Sequence, residues 1–133
     1  MILGWGPQAY VGIHDHPIGG CLAKYVAGPG VIETHYSIVK NGQNQEFLPM
    51  SDSTKQYKCT EDKIHHSDGC SAKHERVAWI RKLKDYHMTK TNLTIMYQEG
   101  YDYMHSVFNP HGNATLTLHA YFGDYRISYW EEI

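Results

Sequence analysis

The stretch Ile13-His14-Asp15-His16 carries the residue types best suited to chemistry. It closes a glycine-rich lead-in (Gly4, Gly6, Gly12) and opens onto Pro17-Ile18-Gly19-Gly20-Cys21. On a strand, His14 and His16 stand two residues apart and share a face, while Asp15 takes the other. Two imidazoles from one strand can chelate a metal with little loop entropy to overcome. A His-rich turn before Pro17 is the plainer reading, because ten of the 133 residues are His. Downstream, His105-Ser106-Val107-Phe108-Asn109 places another His just before a turn. Three neutral imidazoles with open positions beside them suit non-haem Fe(II). Zn(II) also accepts three His, and spacing leaves both metals open.

Taken singly, the other candidates have structural readings too. His119 reads as a satisfied core histidine, Tyr121 as a packed strand aromatic, and Cys21 as a small buried hydrophobe. His105 reads as the start of a turn. A second cluster, Cys59, His65, His66, Cys70 and His74, could hold zinc as an interaction module, but it has no CxxC or paired-finger spacing. A solvated segment is the simpler reading.

The elements that must position these residues read as strands. Met1–Leu3, Tyr10–His16, Cys21–Ala27 and Val31–Val39 are rich in β-formers. Gly28-Pro29-Gly30 and Asn41-Gly42 punctuate them as turns. Residues from about 43 to 90 change in character and read as an insertion, with residues 43–75 irregular and Arg76–Met88 a short helix. The helix rests on Val77, Ile80, Leu83 and His87 at helical spacing. Leu93–Tyr97, Tyr101–Phe108, Ala114–Tyr121 and Tyr125–Trp130 return to strand, with Asn109-Pro110-His111-Gly112-Asn113 as a turn. Strand after strand with Gly/Pro turns predicts one all-β domain over 1–133, an antiparallel barrel or jelly roll.

Composition bounds the rest. Apolar residues make up 41% and charged residues 20%, as in an ordinary soluble domain. A net charge of −2 gives no electrostatic footprint for nucleic acid or an anionic membrane. No apolar run approaches the roughly 20 residues that span a bilayer, and the start reads as no signal peptide. Three cysteines are too few for a disulfide framework, so a reducing cytoplasm is expected. On that basis Asn92-Leu93-Thr94 and Asn113-Ala114-Thr115 are chance matches to the glycosylation sequence.

Joint spacing then carries a resemblance. His14-x-His16, Cys21, Gly28 and the later His105-x3-Asn109 resemble the two-part metal signature of the cupin barrel, with Cys21 where a Glu usually stands and without the Pro-x-Gly before the second part. Trp5-Gly6, the His-Asp-His core, Cys21, His105-Ser106-Val107 and Thr117-x-His119-x-Tyr121 are similar to the cysteine dioxygenase family, over roughly residues 1–40 and 95–130. Thr117 stands where that family has Ser.

The resemblance implies a cupin barrel, a monomer in the cytoplasm, and one Fe(II) per chain held by His14, His16 and His105. It implies oxidation of L-cysteine by O2 to cysteine sulfinic acid, a step of cysteine catabolism toward taurine. Tyr121 would orient substrate or oxygen, and His119, with Thr117 behind it, would direct the Tyr121 hydroxyl. Cys21 and Tyr121 match a pair that forms a thioether in some members. Trp5, Leu3 and Val107 would wall the pocket.

The chain departs from the family in two ways. The segment with the Arg that grips the substrate carboxylate has no counterpart before Trp5, so an incomplete barrel is expected. Lys24 and Arg126 are the nearby basic residues, and no physical argument favours either. The connection to His105 is also longer than usual. Cysteamine and 3-mercaptopropionate are alternative thiols, and a metal-binding cupin or fragment without turnover is the alternative function.

Overall fold

The computed structural model describes residues 1–16, 20–41, 53–65, 70–92, 94–97, 100–122 and 128–133. Its ten strands are β1 (Ile2–Trp5), β2 (Tyr10–His16), β3 (Cys21–Ala27), β4 (Val31–Asn41), β5 (Thr54–His65), β6 (Cys70–Met88), β7 (Thr94–Tyr97), β8 (Gly100–Phe108), β9 (Thr115–Tyr121) and β10 (Trp130–Glu132). All pairings are antiparallel. They form a four-stranded sheet, β1-β9-β3-β7, and a six-stranded sheet, β10-β5-β6-β4-β8-β2. The chain is therefore all-β, as its turn spacing predicts.

The six-stranded sheet curls until its two edges nearly meet. Tyr129, just before β10, bridges to His14 on β2, and Asp15 N–H donates to the Ser128 carbonyl at 3.1 Å. The Asp15 carboxylate accepts the Trp130 indole N–H at 3.0 Å and the Ser128 N–H at 3.2 Å. This buried carboxylate is satisfied by donors from the opposite edge, as a charge out of water must be. The barrel-like closure is compatible with a cupin.

Two apolar clusters sit on opposite faces of that sheet. Ile13, Ile38, Cys59, Ala78, Ile80, Met104 and Trp130 pack within the curl. On the other face Val31, Met88 and Val107 meet Trp5, Cys21 and Ala23 of the four-stranded sheet, which joins the two layers. Asp15 and His14, adjacent in sequence, thus serve different faces.

The region expected to be an irregular or partly helical insertion is different. Residues 54–65 pair with residues 70–81 as a β5–β6 ribbon, and β6 also pairs with β4 from Val31↔Met88 to Asn41↔Ala78. Arg76–Met88 is strand, not helix. Ala78 and Ile80 are buried, while Leu83, one of the helical-spacing residues, is 44% exposed. Strand pairing outweighs a weak local helical pattern. The Asn41-Gly42 turn, residues 43–52 and residues 125–127 of the expected Tyr125–Trp130 strand fall outside the described residues.

The other turns are built as their residues suggest. Gly28 and Gly30 have φ of 100° and 115°, and a Cβ on Gly28 would lie 2.3 Å from the Ala114 carbonyl oxygen. Only glycine fits there. The Thr115 hydroxyl then donates to Gly30 O and accepts Gly30 N–H, both at 2.9 Å, fastening the turn to β9. Asn109 locks the turn before β9. Its side-chain amide donates to the carbonyls of Trp5, Gly6 and Asn113 at 2.9, 3.1 and 2.9 Å, and its Oδ1 accepts His111 N–H. The Asn of the His-x3-Asn pattern is a loop clamp.

Candidate metal centre

Strand register assembles the centre. β8 lies between β2 and β4, and His105 on β8 is paired with His14 on one side and His35 on the other. The His14 and His105 rings lie 4.3 Å apart, and His35 is 6.2 Å from His105. His14 and His105 are buried, at 6% and 3% exposure.

Glu33, two residues before His35 and so on the same face of β4, is 1% exposed. Its Oε2 is 3.4 Å from His105 Nδ1 and 3.7 Å from His35 Nε2. Burial raises the Glu33 carboxyl, but the neighbouring His105 and His35 rings outweigh it and hold the group below its ordinary 4.5. Glu33 is therefore a carboxylate at neutral pH.

Two of the three expected donors, His14 and His105, are brought together here. His14 Nδ1 lies 2.8 Å from the Gly12 carbonyl. A carbonyl only accepts, so Nδ1 carries the hydrogen and Nε2 keeps the lone pair that a metal needs. His16 ends β2 after a slip in pairing, from Asp15↔Met104 to His16↔Gly100. Its side chain lies outside the described residues, as do those of His65, His66, Cys70 and His74. Among the described residues no group of three or more His, Cys, Asp or Glu is set to hold a metal. The described donors are the pair His14 and His105.

The four-stranded sheet supplies a hydrogen-bonded chain. Trp5 Nε1 donates to Thr117 Oγ1 at 2.8 Å, and Thr117 Oγ1 is 2.8 Å from His119 Nε2. The other nitrogen of His119 lies 3.9 Å from Cys21 Sγ. Cys21 is register-paired with Tyr121, and the two side chains hydrogen-bond. Burial pushes the Cys21 thiol up to about 12, the Glu33 charge adding to this and the Tyr121 hydrogen bond opposing it. Burial pushes His119 below its ordinary 6.5, against the Glu33 charge. Both shifts include the charge of Glu33, across the gap between the layers.

Thr117, His119, Tyr121 and Cys21 are thus brought together, with Trp5 and Val107 in the adjoining apolar cluster and Leu3 packed against it. Trp5, expected as a wall, is also the donor that starts the chain. Cys59 of the alternative zinc cluster is buried and packed in the barrel interior.

Sequence reasoning passed over Glu33 and His35. The available signal was period 2 along Val31-Ile32-Glu33-Thr34-His35, which puts Glu33 and His35 on the face of the apolar Val31. No protein-family model, curated protein or solved structure matches the chain.

Proposed function

We propose that the chain is an Fe(II)-dependent thiol dioxygenase of the cysteine dioxygenase type, acting as a cytoplasmic monomer on L-cysteine. One observation carries this reading: adjacent strands bring His14 and His105, far apart in sequence, to a ring separation of 4.3 Å. The Cys21–Tyr121 pair and the Thr117–His119 hydrogen bond on the facing layer add support. Cys21 and Cys59 are both buried and, among the described residues, neither is in a disulfide, which suits a reducing compartment. Among the described residues no helix is long and apolar enough to cross a membrane.

His14, His16 and His105 would hold the iron. Fe(II), when bound, brings thiol sulfur and dioxygen together and lets electrons pass between them, and the balance RSH + O2 → RSO2H needs no further reductant. The residues of this chain do the rest. His14 and His105 would each offer a ring-nitrogen lone pair. Thr117 fixes the His119 ring, and the Tyr121 hydroxyl presents a donor toward the reacting atoms. Val107 and Trp5 exclude water from one side.

A thioether between Cys21 Sγ and a ring carbon of Tyr121 is part of the same reading. Its formation removes one hydrogen from each residue, with dioxygen as the two-electron acceptor.

The test is anaerobic Fe(II) loading of the purified chain, then addition of cysteine and air, following oxygen uptake and cysteine sulfinate. Wild type is expected to form sulfinate and His105→Ala to fall to background. One iron per chain without sulfinate would make the protein a metal-binding cupin without turnover. No iron at all would overturn the reading.

A further inference from the structure

We propose that Glu33 is the positioning residue for His105, fixing the tautomer in which that imidazole offers Nε2 to a metal. The inference rests on the reading of His105 as a ligand. Three register-matched strands carry His35, His105 and His14 in a row. Glu33 lies on the His35 strand, one same-face position away, and its carboxylate reaches Nδ1 of His105 at 3.4 Å.

A carboxylate accepts and does not donate, so the nitrogen it faces is the protonated one. At 3.4 Å the contact is longer than the roughly 2.8 Å of a short charge-assisted hydrogen bond, so it orients the ring mainly through charge. With the proton on Nδ1, Nε2 keeps the lone pair. His14 reaches the same tautomer by a separate route, its Nδ1–H donating to the Gly12 carbonyl at 2.8 Å. One carbonyl and one carboxylate thus prepare two neighbouring imidazoles alike.

His35 shares the same carboxylate oxygen, with Nε2 at 3.7 Å, and its ring lies tilted against that of Tyr86, the centroids 4.4 Å apart. It is a neighbour of Glu33 and, in this assignment, not a ligand. Metal-binding imidazoles generally depend on such a group behind them, and its loss lowers affinity about 10- to 100-fold.

The test needs no turnover. Long-range 1H–15N spectra of the metal-free protein report which ring nitrogen of His105 is protonated, and competition with a chromophoric chelator gives Co(II) affinity. The wild type is expected to show Nδ1–H at His105. Glu33→Ala should mix or reverse the tautomer and weaken Co(II) binding about 10- to 100-fold. Glu33→Gln, which keeps an acceptor, should hold the tautomer with a smaller loss, and His35→Leu should match wild type.

An Nε2–H tautomer at His105 in the wild type would overturn the inference without any variant. So would an unchanged tautomer in folded Glu33→Ala. Loss of Co(II) in Glu33→Gln as complete as in His105→Ala would make Glu33 a ligand and also overturn the positioning role. Undiminished Co(II) affinity in His105→Ala would instead sink the ligand reading, whatever the tautomer.

Discussion

Cys21 shows how far a residue's surroundings change its chemistry. An exposed thiol is partly ionised near pH 8, but burial and the nearby Glu33 charge push this one up to about 12. The folded chain should therefore resist alkylation at pH 8, and denaturation should restore labelling at that position, as peptide mass mapping would show. A chain two hydrogens lighter than its sequence, unlabelled at Cys21 even in denaturant, would show the thioether instead. The same deficit in Cys21→Ser would refute that bond.

Thr117 sits between two groups that need it. Removing its hydroxyl in Thr117→Val strands the Trp5 indole N–H, at a cost of about 1–3 kcal/mol in urea unfolding. Thr117→Ser should recover most of that. At this scale the sequence was informative where residues repeat on one strand, since Thr117, His119 and Tyr121 share a face by period 2. Glu33 was not legible because a Glu among β-formers ordinarily points to water. What meets it inside is His35 on its own strand and His105 on β8, a strand that only the fold brings alongside.

At the level of elements, local pattern and pairing disagreed over residues 54–65 and 70–88. Tyr10–His16 and Cys21–Ala27 are strands at their predicted bounds because Gly and Pro signals flank both. Arg76–Met88 had apolar residues at helical spacing, yet β5 pairs with it as far as Arg81 and β4 from Ala78 to Met88. No property of those residues alone encodes two neighbours. β9 holds another lesson: its polar Thr115, Thr117 and His119 are buried, while Leu116 and Leu118 are 40% and 42% exposed. Alternation gives the period of a strand, and the site decides which phase faces in.

Asp15 is the link between β2 and the last strand. Asp15→Asn keeps the shape but weakens acceptance of the Trp130 and Ser128 N–H groups, at about 1–3 kcal/mol. Trp130 fluorescence should shift red at denaturant concentrations below the main transition, reporting loss of β10 before the rest.

For the whole molecule, acid is the expected weakness. His119 has a folded pKa below its ordinary 6.5, so below that pH the unfolded chain takes up a proton that the folded chain refuses. Stability should fall as pH drops through about 6.5. Glu33, also held below its ordinary 4.5, extends the loss as pH falls further. Urea midpoints measured from pH 7.5 to 5 should show the first decline, and His119→Gln should flatten it. A midpoint that rises on acidification over that range would contradict the His119 assignment. The all-β class was legible at this scale from turn spacing. The closure of the six-stranded sheet was not, because it depends on Asp15 meeting Ser128 and Trp130 from the far end of the chain.

The order of strands also sets a timetable for synthesis. In the six-stranded sheet β2 waits for β8, and in the four-stranded sheet β1 waits for β9. A chain emerging from the ribosome therefore exposes Cys21, His14 and Glu33 long before the strands that enclose them exist. Water meets these side chains in an unfinished protein for most of its elongation. The centre comes into being in a single late event, when β8 and β9 arrive, so metal supplied early would find a thiol and an imidazole in open water.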